Sequence, residues 1–129
     1  MPPHLERKPE LSDLYTYVAY LKRVKDGDTI VVDVDCGLYN WEHDAVIRLG
    51  LVDAIELDDE GGIEAMEHLS MLLEDAGALL IRTYKDRQGR DIHDSWHRWI
   101  AEVWVDDVCI NDRMVADGFA TTWTRERKR

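Results

Sequence analysis

The sequence predicts an α+β fold in which a five-stranded β-barrel carries two to three helices. Five short segments have the alternation, or the content of β-branched and aromatic residues, that is typical of strands. A longer segment between the third and fourth of them repeats its apolar residues at helical spacing. The length of 129 residues fits one domain that buries a core without metal or disulfide staples.

The first three strands are joined by short links and form an antiparallel meander. In the first, residues 14–24, apolar side chains recur at every second position. A Lys-Asp-Gly-Asp turn at 25–28 leads into the second strand, 29–34, which is rich in β-branched residues. A mostly polar connection over 35–43 then precedes the third strand, 45–52.

A helix and two further strands complete the barrel. Apolar residues from 63 to 76 lie on one helical face over about four turns. Strands are predicted at 79–84 and 99–105, with a long polar loop between them. A last short helix covers 111–116, with Asn111 as its N-cap. This order of elements predicts an OB-like barrel, and a generic α+β sandwich is the alternative.

The composition restricts the partners of the domain. A formal net charge of -11 opposes binding to a phosphate backbone, so a nucleic-acid partner requires bound cations or a locally basic cleft. No apolar run approaches the roughly 20 residues that cross a membrane, so no membrane partner is expected. We expect a flexible arm over 1–12, the folded domain over 13–124 and a basic tail over 125–129. The default expectation is a cytoplasmic monomer.

Neither the cysteines nor the histidines predict a strong metal site. Cys36 and Cys109 lie far apart without a CxxC motif, which favours buried thiols over a disulfide or a metal site. His93 and His97 flank Asp94 and leave a transition-metal site as an alternative. That alternative is weak, because their spacing does not define one face in a loop that runs into a strand.

The stretch from Arg48 to Glu56 carries the most chemistry. Here an apolar strand ends by placing Asp53 and Glu56 in a turn, with Arg48 upstream. A carboxylate pair can hold a hard divalent cation or orient a water, and a guanidinium group binds phosphate in a bidentate manner. Barrel shear can bring Asp28 beside Asp53, and two carboxylates with a backbone carbonyl suit Ca²⁺. Taken alone, the stretch also fits an ordinary strand followed by a solvated acidic loop.

Four short motifs follow one another along the chain. They read Val-Lys-Asp-Gly-Asp-Thr-Ile at 24–30, Arg-Leu-Gly-Leu-Val-Asp-Ala-Ile-Glu at 48–56, Asp-Ser-Trp-His-Arg-Trp-Ile-Ala at 94–101 and Asn-Asp-Arg-Met-Val-Ala-Asp-Gly-Phe-Ala at 111–120. In this order, with a predicted helix between the second and third, they resemble the staphylococcal nuclease (thermonuclease) family. The resemblance extends over most of the chain and implies an SNase-like OB-fold with nuclease activity on DNA or RNA.

The resemblance also implies a calcium cofactor and a catalytic carboxylate. Asp28 and Asp53 resemble the calcium-binding carboxylates of the family, with the carbonyl group of Ala54 as a further ligand. Glu56 resembles the residue usually assigned as the general base, or as the group that positions the attacking water. These expectations fit the chemistry of phosphodiester hydrolysis, which needs a positioned water and concentrated positive charge.

Arg48 and Arg98 resemble the two arginines that neutralise the phosphate and its transition state. A rival register makes Arg90 the second arginine, because a glycine precedes Arg90 as in the family pattern. Arg98 is favoured, since the residues that follow it fall at the family's spacing. The resemblance further implies substrate contacts by Ser95 and Trp96, and by Trp123 one place away from the aromatic residue of the family.

Three departures from the family pattern bear on activity. Ile55 replaces the proline in the turn that aims Glu56, His97 replaces the glycine before the second arginine, and Trp96 replaces a tyrosine. The alternative function is therefore a non-catalytic OB-like module that binds a nucleic acid or a protein. Against that alternative, the chain keeps the complete set of four charged residues: Asp28, Arg48, Asp53 and Glu56.

Overall fold

The computed structural model describes residues 15–84, 88, 90–94 and 97–122. In chain order the elements are β1 (Thr16–Asp26), β2 (Thr29–Gly37), β3 (Asn40–Leu49), β4 (Val52–Ala54), α1 (Gly62–Leu73), β5 (Ala78–Thr83), β6 (Trp99–Val105), β7 (Val108–Cys109), α2 (Ile110–Ala116) and β8 (Ala120–Thr122). The expected arm over 1–12 and tail over 125–129 lie outside the described residues.

Five of the strands close into a barrel. Antiparallel pairings join β3, β2, β1, β5 and β6 in that order, and a parallel pairing of β3 with β6 joins the two ends. In this parallel pair Arg48 lies opposite Ile100. The result is a closed mixed barrel with two helices in the described part of the chain, which confirms the predicted α+β, OB-like fold class.

The interior of the barrel follows from the alternation of side chains along each strand. Ile30, Val32 and Val34 of β2 point inward and are buried, and β1, β3, β5 and β6 contribute their alternate residues in the same way. Helix α1 adds Leu69 and Leu73 to the same core. Each fully buried leucine contributes roughly 1.5–3 kcal/mol relative to an exposed one.

The predicted polar connection over 35–43 is wrong. The chain instead continues β2 to Gly37, turns at Leu38 and Tyr39 and begins β3 at Asn40. Both turn residues have a positive φ, of 56° and 64°, and both are fully exposed or nearly so. An apolar turn without Gly or Asn in its centre carries no sequence signal of a hairpin, so the pattern missed it.

The third predicted strand is in fact two strands. A turn at Gly50 and Leu51 separates β3 from β4, which pairs with β8 rather than with the barrel. The short strands β4, β7 and β8 have two or three residues each, which is too few to show a period of two. Helix α1 ends at Leu73, three residues before the end of the predicted apolar face.

Two smaller expectations also need correction. Asn111 does not cap α2; the N-cap is Cys109, and Asn111 lies inside the helix. Both cysteines are free thiols, as expected, but Cys36 is exposed rather than buried. Neither helix of the described residues has the length and apolar character that a membrane span requires.

Candidate active site

The turn between β1 and β2 brings Asp28 against β4. Asp28 Oδ2 accepts a hydrogen bond from the backbone N–H of Ala54 at 3.0 Å, and Oδ1 accepts one from Thr29 Oγ1 at 3.1 Å. The approach requires a glycine in the turn, because a Cβ on Gly27 would lie 2.7 Å from Cβ of Ala54 and 2.9 Å from Cβ of Ala65. The sequence Asp-Gly-Asp therefore places one acid directly beside the strand that carries the next.

Arg48 lies between the two acids. Its Nη2 is 2.6 Å from Oδ1 of Asp53 and 3.5 Å from Oδ2 of Asp28. Its Nη1 donates to the carbonyl oxygens of Leu49 and Val52, which fixes the guanidinium plane across the turn that ends β3. The side chains of Arg48 and Asp28 are only 15 % and 14 % exposed, whereas that of Asp53 is 54 % exposed. A cation at this point is therefore shielded on one side and open to solvent on the other.

The pKa of Asp28 is raised to about 6, mainly by burial; Arg48 and the Ala54 N–H lower it, and the nearby Asp26 adds to the rise. Asp26 Oδ1 also accepts a hydrogen bond from the backbone N–H of Asp28 at 3.0 Å. Two aspartates thus lie beside Arg48, and a third, Asp26, lies beside Asp28. The local excess of negative charge favours a further cation at the site.

The site has the donor chemistry of an oxygen-ligated cation. Oδ2 of Asp28 and Oδ1 of Asp53 lie 3.5 Å and 2.6 Å from the same nitrogen, Nη2 of Arg48. These two oxygens are therefore no farther apart than the sum of the two distances. Within the described ranges, no group of three or more His, Cys, Asp and Glu side chains is arranged to hold a metal ion. A cation here would therefore take two carboxylates, the Ala54 carbonyl group and water, which is a ligand set suited to Ca²⁺. Its binding requires Arg48 to release Asp53.

Glu56 lies in the exposed loop between β4 and α1. Its carbonyl oxygen accepts a hydrogen bond from the Asp59 N–H at 2.9 Å and lies so close to Gly62 that a Cβ there would be 2.0 Å away. The Glu56 carboxylate makes no hydrogen bond or ion pair with any other described residue. The backbone is thus held in place although Ile55 replaces the expected proline, and the carboxylate faces solvent.

Arg98 is bound to Asp94 instead of to the acids of the site. Its Nε lies 2.7 Å from Asp94 Oδ2, and its backbone N–H donates to Asp94 Oδ1 at 3.0 Å. In the parallel pairing, Arg98 stands two residues before Ile100, which lies opposite Arg48. Arg98 itself lies just before β6, which begins at Trp99, so the strand pairing does not include it.

The other predicted substrate residues divide into two groups. Ser95, Trp96 and Trp123 lie outside the described residues. The rival arginine, Arg90, lies on an exposed loop, where its Nη2 donates to Gln88 Oε1 at 3.2 Å.

The two histidines considered for a transition metal stack on each other. The ring centroids of His93 and His97 are 5.5 Å apart, and the rings of His93 and Trp99 pack edge to face. In the described part of the chain no third ligand joins them. The pair is therefore explained by ring packing.

Asn111 is a residue of the site that the sequence did not reveal. It is 3 % exposed, and its Nδ2 donates to the carbonyl oxygens of Gly50 and Ala101, both at 3.1 Å. Its Oδ1 accepts a hydrogen bond from the Val103 N–H at 2.9 Å. The amide therefore ties the turn that follows Arg48 to β6 and α2. Its position after a strand is equally typical of an N-cap, so the pattern gave the wrong role.

The chain matches no model of a known protein family and no curated protein. The geometry itself therefore carries the functional argument. It brings Asp28, Arg48, Asp53 and Ala54 together at one end of the barrel. It leaves Glu56 in the adjacent loop and Arg98 immediately before β6, without a direct contact with that group among the described residues.

Proposed function

We propose that the protein is a calcium-dependent nuclease that hydrolyses phosphodiester bonds of DNA or RNA. The observation that carries this proposal is the approach of Asp28 and Asp53, from separate strands, to one nitrogen of Arg48. The two acids can hold an oxygen-ligated metal ion, and Arg48, which lies beside a face open to solvent, can bind a phosphate group. A purely structural ion pair would need only one carboxylate beside Arg48. Burying a second carboxylate costs additional free energy of desolvation.

In the proposed mechanism, the carboxylates of Asp28 and Asp53 and the carbonyl group of Ala54 would hold Ca²⁺. When bound, the ion supplies positive charge that polarises a phosphoryl oxygen. Arg48, released from Asp53, binds the phosphate through two parallel N–H···O hydrogen bonds. The protein thereby exchanges an internal ion pair for one with the substrate.

Glu56 acts on the attacking water. The water oxygen forms a bond to phosphorus, the Glu56 carboxylate accepts the proton that this water loses, and the bond from phosphorus to the leaving ester oxygen breaks. The leaving oxygen takes a proton from solvent. A carboxylate with no partner among the described residues, on a loop whose backbone is fixed, is a suitable proton acceptor for this step.

Arg98 adds a second positive charge to the transition state. Two features support this role over the rival Arg90. Arg98 directly precedes β6, whose Ile100 lies opposite Arg48 in the parallel pairing with β3. The preceding His97 has a φ of 60°, a conformation that favours glycine, so the backbone at this place follows the family pattern although the side chain does not. Arg98 would exchange Asp94 for the phosphate when substrate binds.

The acidity of the chain makes the divalent cation essential. A net charge of -11 repels nucleic acid, and the ion and the two arginines would offset that repulsion locally. We therefore expect cleavage to stop when Ca²⁺ is removed.

A non-catalytic OB-like module that binds a nucleic acid or a protein remains the second candidate. It is favoured by the fact that Arg48 already has four close acceptors within the chain, the oxygens of Leu49, Val52, Asp53 and Asp28. Such a module would bind its partner without turnover.

Cleavage of single-stranded DNA and of RNA, with Ca²⁺ or with a chelator, separates the two candidates. The wild type is compared with Glu56→Gln and with Glu60→Gln, which removes an exposed carboxylate from the same loop. We expect Glu56→Gln to lower the rate about 100-fold or more and Glu60→Gln to leave it unchanged. Cleavage that ignores both the chelator and the Glu56 substitution would overturn the mechanism.

A further inference from the structure

The end of the barrel opposite the acids contains an open cavity of about 270 Å³. It lies where β1 and β6 begin and where β2 and β5 end, whereas Asp28 and Asp53 lie at the start of β2 and beyond the end of β3. Side chains of Ala45, Ile47 and Ile81 form its apolar wall. None of the residues that line it takes part in the proposed nuclease chemistry. The cavity therefore calls for a separate explanation.

The polar groups of the cavity are centred on Asp91. Its Oδ2 accepts a hydrogen bond from Tyr17 Oη at 3.2 Å, and its Oδ1 accepts one from Thr83 Oγ1 at 2.8 Å. The Thr83 hydroxyl group also lies 3.4 Å from the Tyr15 carbonyl oxygen, so its hydrogen has a protein acceptor in either orientation. Burial and Asp91 raise the pKa of Tyr17 to about 12, which keeps this hydroxyl group a neutral donor. The hydroxyl hydrogens are thus already used within the protein.

The cavity consequently offers acceptors to a ligand and almost no donors. Asp91 keeps lone pairs beyond those used by the two hydroxyl groups, and Glu42 adds a second carboxylate to the lining. The thiol of Cys36 is directed at the Val34 carbonyl oxygen, 3.8 Å away. Among the described residues that line the cavity there is no Lys, Arg or His; Arg90 and His93 line a neighbouring groove on the other side of Asp91. The electrostatic preference is for a cation.

Trp99 supplies an aromatic wall. Its ring packs against that of His93 in an edge-to-face arrangement, with the ring centroids 5.0 Å apart and the planes at 89°. An ammonium group beside an aromatic face and a carboxylate is stabilised by both, and its apolar part gains from the aliphatic wall. The volume admits about nine water-sized groups, which limits the ligand to a small molecule.

We propose that this cavity binds a small primary amine, as its ammonium ion, whose body is apolar or aromatic. The ammonium group donates to Asp91 and Glu42, and the body packs between Trp99 and the aliphatic wall. Anionic compounds, nucleotides included, are repelled by the two carboxylates. The cavity is therefore a second site with the opposite charge preference to the phosphate-binding end of the barrel.

The test is a ¹H–¹⁵N NMR titration of the full chain with 2-phenylethylammonium, 2-phenylethanol and phenylacetate. We expect the ammonium ion alone to give saturable shifts, with a Kd below about 10 mM, at the amides of Tyr17, Ile81 and Thr83. The neutral alcohol should bind about tenfold or more weakly, and the anion should not bind. Equal affinity for all three probes, shifts that map elsewhere, or no saturation below that concentration would each overturn the proposal.

Two variants sharpen the test. Asp91→Asn should weaken binding of the ammonium ion about tenfold or more. Asp107→Asn, which makes the same change in an exposed turn, should leave the Kd of the ammonium ion unchanged. Ala45→Leu adds bulk to the wall and should abolish binding while the amide spectrum stays folded. If Asp91→Asn does not fold, the binding of the three probes to the wild type and to Ala45→Leu still tests the proposal. Unchanged binding in Ala45→Leu would contradict the proposed location.

Discussion

Asp28 Oδ2 accepts a hydrogen bond from the backbone N–H of Ala54, which lies 26 residues farther along the chain. This one contact joins the β1–β2 turn to β4 and sets the distance between the two acids of the site. The same oxygen also lies 3.5 Å from Nη2 of Arg48. The proposed metal and phosphate chemistry depends on this junction, and the predictions below test it from different directions.

Asp28 should make the metal-free protein less stable as the pH rises. Its folded-state pKa of about 6 is above the ordinary value, so its stabilising contribution is complete below about pH 4 and is lost as the pH rises through about 6. Asp28→Asn should therefore gain stability relative to the wild type between pH 4 and pH 7, by roughly 1–3 kcal/mol at neutral pH. Urea unfolding without divalent cations measures the difference. Asp107→Asn is the control, and a difference from the wild type that is independent of pH would contradict the prediction.

Calcium should stabilise the wild type through the same two acids. A ligand at about 100 times its Kd adds about 2.7 kcal/mol to the free energy of unfolding. We expect this gain in the wild type and its loss in Asp28→Asn and Asp53→Asn, because each variant removes one carboxylate ligand. Thermal unfolding with increasing Ca²⁺ is the measurement. An equal gain in the wild type and in Asp53→Asn would show that the ion binds elsewhere.

Arg48→Lys should abolish most activity although it keeps the charge. Lysine cannot make two parallel hydrogen bonds to a phosphate, nor can it reproduce the contacts to the carbonyl oxygens of Leu49 and Val52. We expect kcat/KM to fall about 100-fold or more. Arg82→Lys is the matched control, since Arg82 pairs with Glu102 on the barrel surface. A loss of similar size in both variants would mean that the effect is not specific to the site.

Asn111→Ala should destabilise the fold. The substitution removes one acceptor and two donor contacts in a buried position and leaves the Gly50 and Ala101 carbonyl oxygens without this partner. The expected loss is about 2–4 kcal/mol in urea unfolding. Asn40→Ala, at an exposed hairpin position, should change stability by less than about 0.5 kcal/mol. Equal and small effects of the two substitutions would contradict the assigned role of Asn111.

The elements that the sequence predicts well are those with many periodic residues. Alternation in β2 and the helical spacing that buries Leu69 and Leu73 are both set by the same apolar core, so local pattern and final structure agree. The antiparallel pairing of β2 with β3 was predicted, but the tight turn between them was missed, because Leu38 and Tyr39 take a positive φ that their types rarely adopt.

The candidate site was only partly predictable. Residue types at the ends of strands pointed to Asp28, Arg48 and Asp53, but their approach depends on barrel register, which a pattern does not contain. Arg98 pairs with Asp94 only four residues before it, but no periodic pattern predicts this contact. Asn111 was assigned the wrong role because a buried amide and a helix cap use the same side chain.

The rate of DNA cleavage as a function of Ca²⁺ concentration tests the central claim most directly. In single-turnover reactions of the wild type, we expect the rate to rise from background and saturate at the same half-maximal concentration as calorimetric binding of one Ca²⁺. We also expect Asp53→Asn to lose both the Ca²⁺-dependent cleavage and the calorimetric binding of Ca²⁺. A cleavage rate that is constant across the titration, or that saturates while no ion binds, would contradict the account.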